Sequence, residues 1–208
     1  SSDYAVSKLD AERRLIALSN DGIIRNLVIL RLAPVYDRDW SFNFDRRVLA
    51  PFRMAYIRFG SGLQRMSALA RPNLVDFIEF LIHRLRRLTQ IKIFNVCDAD
   101  PYEFNTIIRV FKKSGIRPNR PVISVPLPAV WLATRIAGSL FFNKPPHAIT
   151  TKHENPPLPP FSKGGISYKK EWIHSCYDKL ASDLVFDNEK MLGTGFRPVH
   201  SLETIFLS

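Results

Sequence analysis

The stretch Leu27-Val28-Ile29-Leu30-Arg31-Leu32-Ala33-Pro34-Val35-Tyr36 decides the fold. Its first four residues are continuously apolar, the pattern of a strand buried on both faces of a parallel sheet, where neither face is left for polar side chains. Upstream, Tyr4 to Asn20 carries Leu9, Ile16 and neighbouring apolar residues at helical spacing, and Asp21-Gly22 supplies a stop. A helix followed by a buried strand is one step of an α/β fold. Downstream the step repeats: Leu74, Phe77, Ile78, Leu81 and Ile82 define one face of a helix over 73–87, which leads into a short strand over 91–96.

Between and after these steps the patterns are shorter. Phe42 to Tyr56 predicts a helix with a break or kink at Pro51. Asp100-Pro101-Tyr102-Glu103 combines an N-cap Asp, a first-turn Pro and a Glu, and predicts a helix running to Ser114-Gly115. Residues 122–142 are strongly apolar, but Pro126, Pro128 and Arg135 interrupt them and leave less than the roughly 20 residues that span a bilayer. The run predicts a buried helix, with peripheral contact at a membrane surface as the alternative. Pro145-Pro146, Pro156-Pro157-Leu158-Pro159-Pro160 and Lys163-Gly164-Gly165 mark a composition break without apolar periodicity, a polyproline-biased insertion at about 143–170. From Val185 to Glu203 the chain reads as a strand, a short helix, a turn at Gly195-Phe196-Arg197-Pro198 and a last helix capped by Ser201.

Composition narrows the function. With 46% hydrophobic and 24% charged residues in 208, the chain is of ordinary soluble type. Its net charge of +11 admits nucleic acid, an anionic surface or a phosphorylated small molecule. The basic residues are scattered, as at Arg13-Arg14, Arg86-Arg87, Lys112-Lys113 and Lys169-Lys170, without the aromatic interleaving of an RNA-binding sheet, so a nucleic-acid partner is not expected. The two cysteines, Cys97 and Cys176, are far apart and match no metal-ligand spacing. A reducing, cytoplasmic setting without a metal fits them. The opening Ser1-Ser2-Asp3-Tyr4 reads as the first turn of a helix already under way, the expectation for a truncated start.

Tyr4 and Lys8 stand four apart on the first predicted helix, so both project from one face. An ordinary tyrosine has a pKa of about 10. An ammonium about 4 Å away is worth about 4 kcal/mol at an effective dielectric of about 20, enough to lower that value by about three pH units. A phenol tuned in this way can remove a hydroxyl proton near neutral pH while a hydride leaves the same carbon. With six tyrosines in the chain, such a pair arises easily by chance and decides nothing alone.

Order along the whole chain adds to it. Tyr4-Ala5-Val6-Ser7-Lys8-Leu9-Asp10-Ala11-Glu12 resembles the YxxSKxxxE segment of the NAD-dependent epimerase/dehydratase family, the extended short-chain dehydrogenase/reductases. Leu30 to Tyr36 is similar to that family's LRPxxVYG, and Asn43-Phe44 with Gly60 to Ser67 to its substrate loop. Asn73-Leu74-Val75-Asp76, Ile93-Phe94-Asn95-Val96 and Asp187 to Pro198 resemble the segments that follow. The resemblance implies the C-terminal part of a Rossmann-type parallel sheet with a small, mostly helical substrate-binding lobe. Residues 1–96 would be the remainder of the dinucleotide-binding domain, with a substrate-loop excursion at about 37–72, and 97–208 the substrate lobe.

It also implies roles. Tyr4 would be the general base, and Lys8 would hold the nicotinamide ribose of NAD or NADP and lower the pKa of Tyr4. Pro34 and Val35 would line the nicotinamide pocket, Arg65 would pair with a substrate diphosphate, and Asn43 belongs to the substrate loop. The glycine-rich phosphate loop, its acidic ribose ligand and the upstream Ser or Thr of the family are not in this sequence. Pro72 stands where the family usually has Asp, and Asp37 where a Gly normally follows the Val-Tyr pair.

The implied function is NAD(P)-dependent epimerisation, dehydration or reduction of a nucleotide sugar, in surface-polysaccharide precursor metabolism, with a homodimer compatible with the family. The alternatives are a reductase of a non-sugar alcohol or ketone and a catalytically inactive fragment.

Overall fold

The computed structural model describes residues 3–85, 92–115, 119–142, 177–178 and 180–208, with side chains except at 3, 4, 51, 85 and 137–142. The Pro-rich stretch, residues 86–91 and Cys176 lie outside them. Helix α1 covers Asp3–Asn20 and strand β1 Val28–Leu32, followed by the two-residue strand β2, Val35–Tyr36. Helix α2 (Phe42–Val48), β3 (Tyr56–Phe59), β4 (Arg65–Met66), β5 (Leu69–Ala70) and α3 (Arg71–Leu85) come next. Then follow β6 (Lys92–Val96), β7 (Tyr102–Glu103), α4 (Phe104–Lys113), β8 (Val122–Val125) and α5 (Leu127–Phe142). Among the described residues the chain closes with α6 (Glu189–Leu192) and α7 (Leu202–Leu207).

The two predicted helix-strand steps are present and joined. Strand β1 pairs in parallel with β6, Val28 opposite Lys92 and Leu32 opposite Val96. The pairs β2–β5 and β3–β8 are also parallel, and β4–β7 is antiparallel. Parallel neighbours need a crossover, and α3 lies in the one that connects β1 to β6. The chain is therefore a mixed α/β protein of Rossmann type.

The strand expected from Val185 does not form, with only an isolated bridge at Leu184, and three other local expectations fail for physical reasons. The helix from Phe42 ends at Val48, because Ala50, held extended ahead of Pro51, cannot continue it, and Phe52 and Arg53 then turn through positive φ before β3 starts at Tyr56. Helix α4 starts at Phe104 with Glu103 at its N-cap, and Asp100 caps nothing, because Tyr102 and Glu103 pair with Met66 and Arg65 instead. The apolar run over 122–142 divides at Pro126 into β8 and α5, and Trp131, Leu132 and Ile136 of α5 are exposed rather than buried. By contrast Ser201 caps α7 as expected, in a reciprocal pair with Thr204.

Two apolar cores result. One packs Phe77, Leu81, Phe94, Val96 and Phe196 between α3 and the β1–β6 pair. The other packs Tyr36, Phe44, Tyr56, Tyr102, Phe111 and Phe206, and joins α2, α4 and α7. Between them lies Asp98, 2% exposed. Its Oδ2 accepts from the hydroxyls of Tyr36 and Tyr102, both at 2.8 Å, and its Oδ1 from the Ala70 amide at 2.8 Å and Asn73 Nδ2 at 2.7 Å. Burial raises the Asp98 carboxyl above the usual range, opposed by these four donors. Asn73 extends the network, its Oδ1 accepting from the Val199 and His200 amides.

Replacing Asp98 by Asn removes the charge and leaves an amide facing hydroxyl and amide donors, so urea unfolding should show a loss of about 2–4 kcal/mol. The same network gives a pH signature. Burial, and then the Asp98 charge, raise the phenols of Tyr36 and Tyr102 far above the ordinary tyrosine value. The folded state keeps protons that the unfolded chain releases above about pH 10, so stability should fall there by about 1.4 kcal/mol per pH unit for each tyrosine. Denaturation midpoints measured from neutral to alkaline pH should show this slope, and Tyr36→Phe with Tyr102→Phe should flatten it.

Candidate active site

Tyr4 and Lys8 lie one turn apart on α1, and Glu12 continues the same stripe of the helix. Glu12 faces β1: its carboxylate binds the Arg31 guanidinium through both oxygens, with Nε at 3.1 Å from Oε2 and a second, shorter contact from Nη2 to Oε1. That pair lowers the Glu12 carboxyl and raises Arg31. Seven residues separate α1 from β1, so the strand runs back along the helix. From the Glu12–Arg31 contact, Lys8 lies about 6 Å back along the helix and Pro34 about 10 Å onward along the strand, and both steps lead toward the carboxyl end of β1. In open α/β sheets that end is where ligands bind.

Pro34 and Val35 occupy this end. The Pro34 carbonyl accepts from the Leu69 amide at 3.1 Å, and Val35 pairs with Leu69 across β2–β5, so the turn after β1 is fixed by its neighbour. Asn43 is half-buried in the first turn of α2. Arg65 opens β4, where Asp183 holds its guanidinium through Nε at 3.1 Å and Nη2 at 3.0 Å, and its backbone amide through Oδ1 at 2.8 Å. The Arg65 amide and then its side chain keep the Asp183 carboxyl below the usual range. Sequence reasoning passed over Asp183 and Asp98. Asp98 sits one residue beyond Cys97 and two beyond the end of β6, and no spacing rule marks it.

A dinucleotide needs glycines whose backbone can approach its pyrophosphate. Of the chain's two Gly-x-Gly runs, Gly193-Thr194-Gly195 ends helix α6 and does not open a helix, and Gly60-Ser61-Gly62 is closed by neighbouring side chains: a methyl group on Gly62 would run into Asn105 Oδ1 and Arg58, and one on Gly60 into Leu127. Asn105 also donates to the Ser61 carbonyl at 2.9 Å. The Gly60-Ser61-Gly62 turn therefore offers a pyrophosphate no such approach. Among the described residues no cluster of His, Cys, Asp or Glu suits a metal ion, and no helix is long and apolar enough to cross a membrane.

No family model matches the chain. A UDP-glucose 4-epimerase from Vibrio cholerae is 29% identical over 140 residues, which is 67% of this chain and 40% of that protein. In fold, the chain superposes over its whole length on half of a dTDP-glucose 4,6-dehydratase from Bacillus anthracis solved in complex with NAD, with a TM-score of 0.53 at 11% identity. A UDP-glucuronic acid 4-epimerase from Bacillus cereus in complex with NAD is 21% identical, with a TM-score of 0.44 over 59% of this chain and 41% of that one. The chain thus spans less than half the length of the curated relative it matches, and its similarity is to NAD-dependent epimerases and dehydratases.

The closed Gly60–Gly62 turn makes a direct prediction. Gly62 has φ +72 and no room for a Cβ, so Gly62→Ala should cost about 1–3 kcal/mol in chemical denaturation. An unchanged midpoint would mean that the turn is open.

Proposed function

We propose that the chain carries the Tyr-Lys helix, the nicotinamide-facing turn and the substrate lobe of an NAD(P)-dependent epimerase, dehydratase or reductase of nucleotide sugars. The observation that supports this best is the stripe Tyr4–Lys8–Glu12, tied by Glu12 to the strand that leads into Pro34-Val35. A glycine-rich half beyond this sequence would hold the pyrophosphate, and the division at residue 96 would separate that unit from the substrate lobe.

In this reading NAD supplies the hydride acceptor. Tyr4 takes the proton of the reacting hydroxyl, and Lys8 keeps its phenol ionisable near neutral pH while donating to the ribose hydroxyls. Pro34 and Val35 keep water from one side of the nicotinamide. Arg65, held in position by Asp183, presents charge to a diphosphate, and Asn43 contacts the substrate. A cytoplasmic enzyme of surface-polysaccharide precursor synthesis, working as a homodimer, fits this chemistry. A neutral alcohol or ketone as substrate draws support from the Arg65 fork being taken up by Asp183. An inactive chain draws support from the closed Gly60–Gly62 turn.

Turnover of UDP- and dTDP-sugars by the protein that includes the glycine-rich half tests the reading. Tyr4→Phe there should lower kcat by about 10²–10⁴ while NAD affinity stays near its original value. Full activity of Tyr4→Phe would remove the mechanism. Lys8→Met should weaken both turnover and NAD binding, and unchanged NAD affinity would count against its ribose role.

A further inference from the structure

The +11 charge finds no role in the Tyr4–Lys8 chemistry, and part of it converges elsewhere. A cleft of about 570 Å³ opens between α4 and the β3–β8 pair, with Arg58, Asn105, Arg109, Lys112, Lys113 and Asn119 on its walls. We propose that this cleft is an anion site that takes the phosphoryl groups of a small soluble polyphosphate, separate from Arg65 and from the Tyr-Lys helix.

Strand alternation separates it from the rest. Tyr56 is buried against α2 and α4, so Arg58, two residues on, faces α4 as well, whereas Ile57 and Phe59 face the other side. On α4, Arg109, Lys112 and Lys113 lie three and four residues apart, a spacing at which like charges share one face and repel. The helix dipole accounts for cations in the last turn of α4. It does not account for Arg58, which reaches the same cleft from another element.

Arg58 is also held without being neutralised. Its Nε and Nη2 both donate to the Ser124 hydroxyl of β8, at 3.1 and 2.6 Å, so a neutral group fixes the guanidinium and leaves its charge in place. Among the described residues no carboxylate lines the cleft. Glu203 of α7 pairs with Arg109 at 3.8 Å and offsets one charge of the four. Three uncompensated cations, among them a guanidinium held in place by Ser124, together with two side-chain amides suit a di- or triphosphate better than a single carboxylate.

The test is calorimetric titration of the chain with inorganic pyrophosphate at physiological salt, with amide chemical shifts read in parallel. One saturable equivalent is expected, with shifts confined to α4, β3 and β8. The double variant Lys112→Gln/Lys113→Gln and, separately, Arg58→Met should each weaken binding by about tenfold or more, with circular dichroism and urea midpoints preserved. Arg13→Gln/Arg14→Gln, which removes the same charge from α1, should leave the affinity unchanged. An equal loss in that control, or the absence of saturation, would reduce the cleft to general charge attraction and overturn the proposal. Retention on phosphatidylserine vesicles or on duplex DNA that pyrophosphate cannot compete away would overturn it too, by assigning the cations to a surface partner.

Discussion

Everything in this fold that is not a helix-strand step depends on one buried carboxylate. Asp98 leaves the end of β6 and gathers a strand residue (Tyr36), the residue that opens the crossover helix (Ala70 ahead of Arg71), an asparagine of that helix (Asn73) and the tyrosine that precedes α4 (Tyr102). A charge so far from water persists only where donors surround it, and these donors come from segments up to 62 residues away. The two apolar cores are thereby held at a fixed angle to each other, since Tyr36 and Tyr102 belong to one and β6 to the other. Asn73 passes the constraint to the chain at 199–200, just ahead of α7.

That rigidity positions the candidate site. The turn after β1 is fixed from three sides: by the β1–β6 ladder, by the Pro34 carbonyl on Leu69, and by Tyr36, whose hydroxyl is anchored on Asp98. Helix α1 is held differently. Val6, Leu9, Leu15 and Leu18 are exposed, and the two-pronged Glu12–Arg31 pair is its marked polar link to the sheet. Tyr4 and Lys8 thus ride on the more loosely attached element, whereas the turn after β1 is fixed by its neighbours.

Much of this was legible from residue order. Continuous apolar residues at 27–30 and the 3.6-residue spacing over 73–85 mark the strand and the helix of the α/β steps from local pattern, although β1 is only half-buried and its Arg31 and Leu32 are exposed, not covered on both faces as expected. The second half of the chain was less legible because long-range pairing overrode local preference. Asp100-Pro101 carries the strongest helix-start signal in the sequence, yet Met66 and Asp98 claim Tyr102 and delay the helix to Phe104. Apolar content at 122–142 likewise suggested burial, but burial depends on what lies opposite, and the outer residues of α5 meet no described partner. Tyr4 and Lys8 stand out in the sequence only as a motif whose roles remain a proposal; Asp183 and Asp98, which hold their neighbours in place, carry no local signal at all, because their partners lie 118 and 62 positions away.

The core around Tyr36 has a temporal aspect. Leu202 and Phe206 are fully buried in it, the Phe206 ring tilted against Phe111 with centroids 5.1 Å apart, and the Leu202 amide donates to the Tyr102 hydroxyl. During synthesis, α2 and α4 emerge from the ribosome with that face open to water and stay so until residue 206 has cleared the exit tunnel. The nascent chain therefore spends the interval from about residue 113 onward as a half-walled core, during which chaperone capture competes with self-association. The core around Tyr36 is closed by α7, and the rate at which the ribosome delivers that helix bounds how long the aromatic interior stays unprotected.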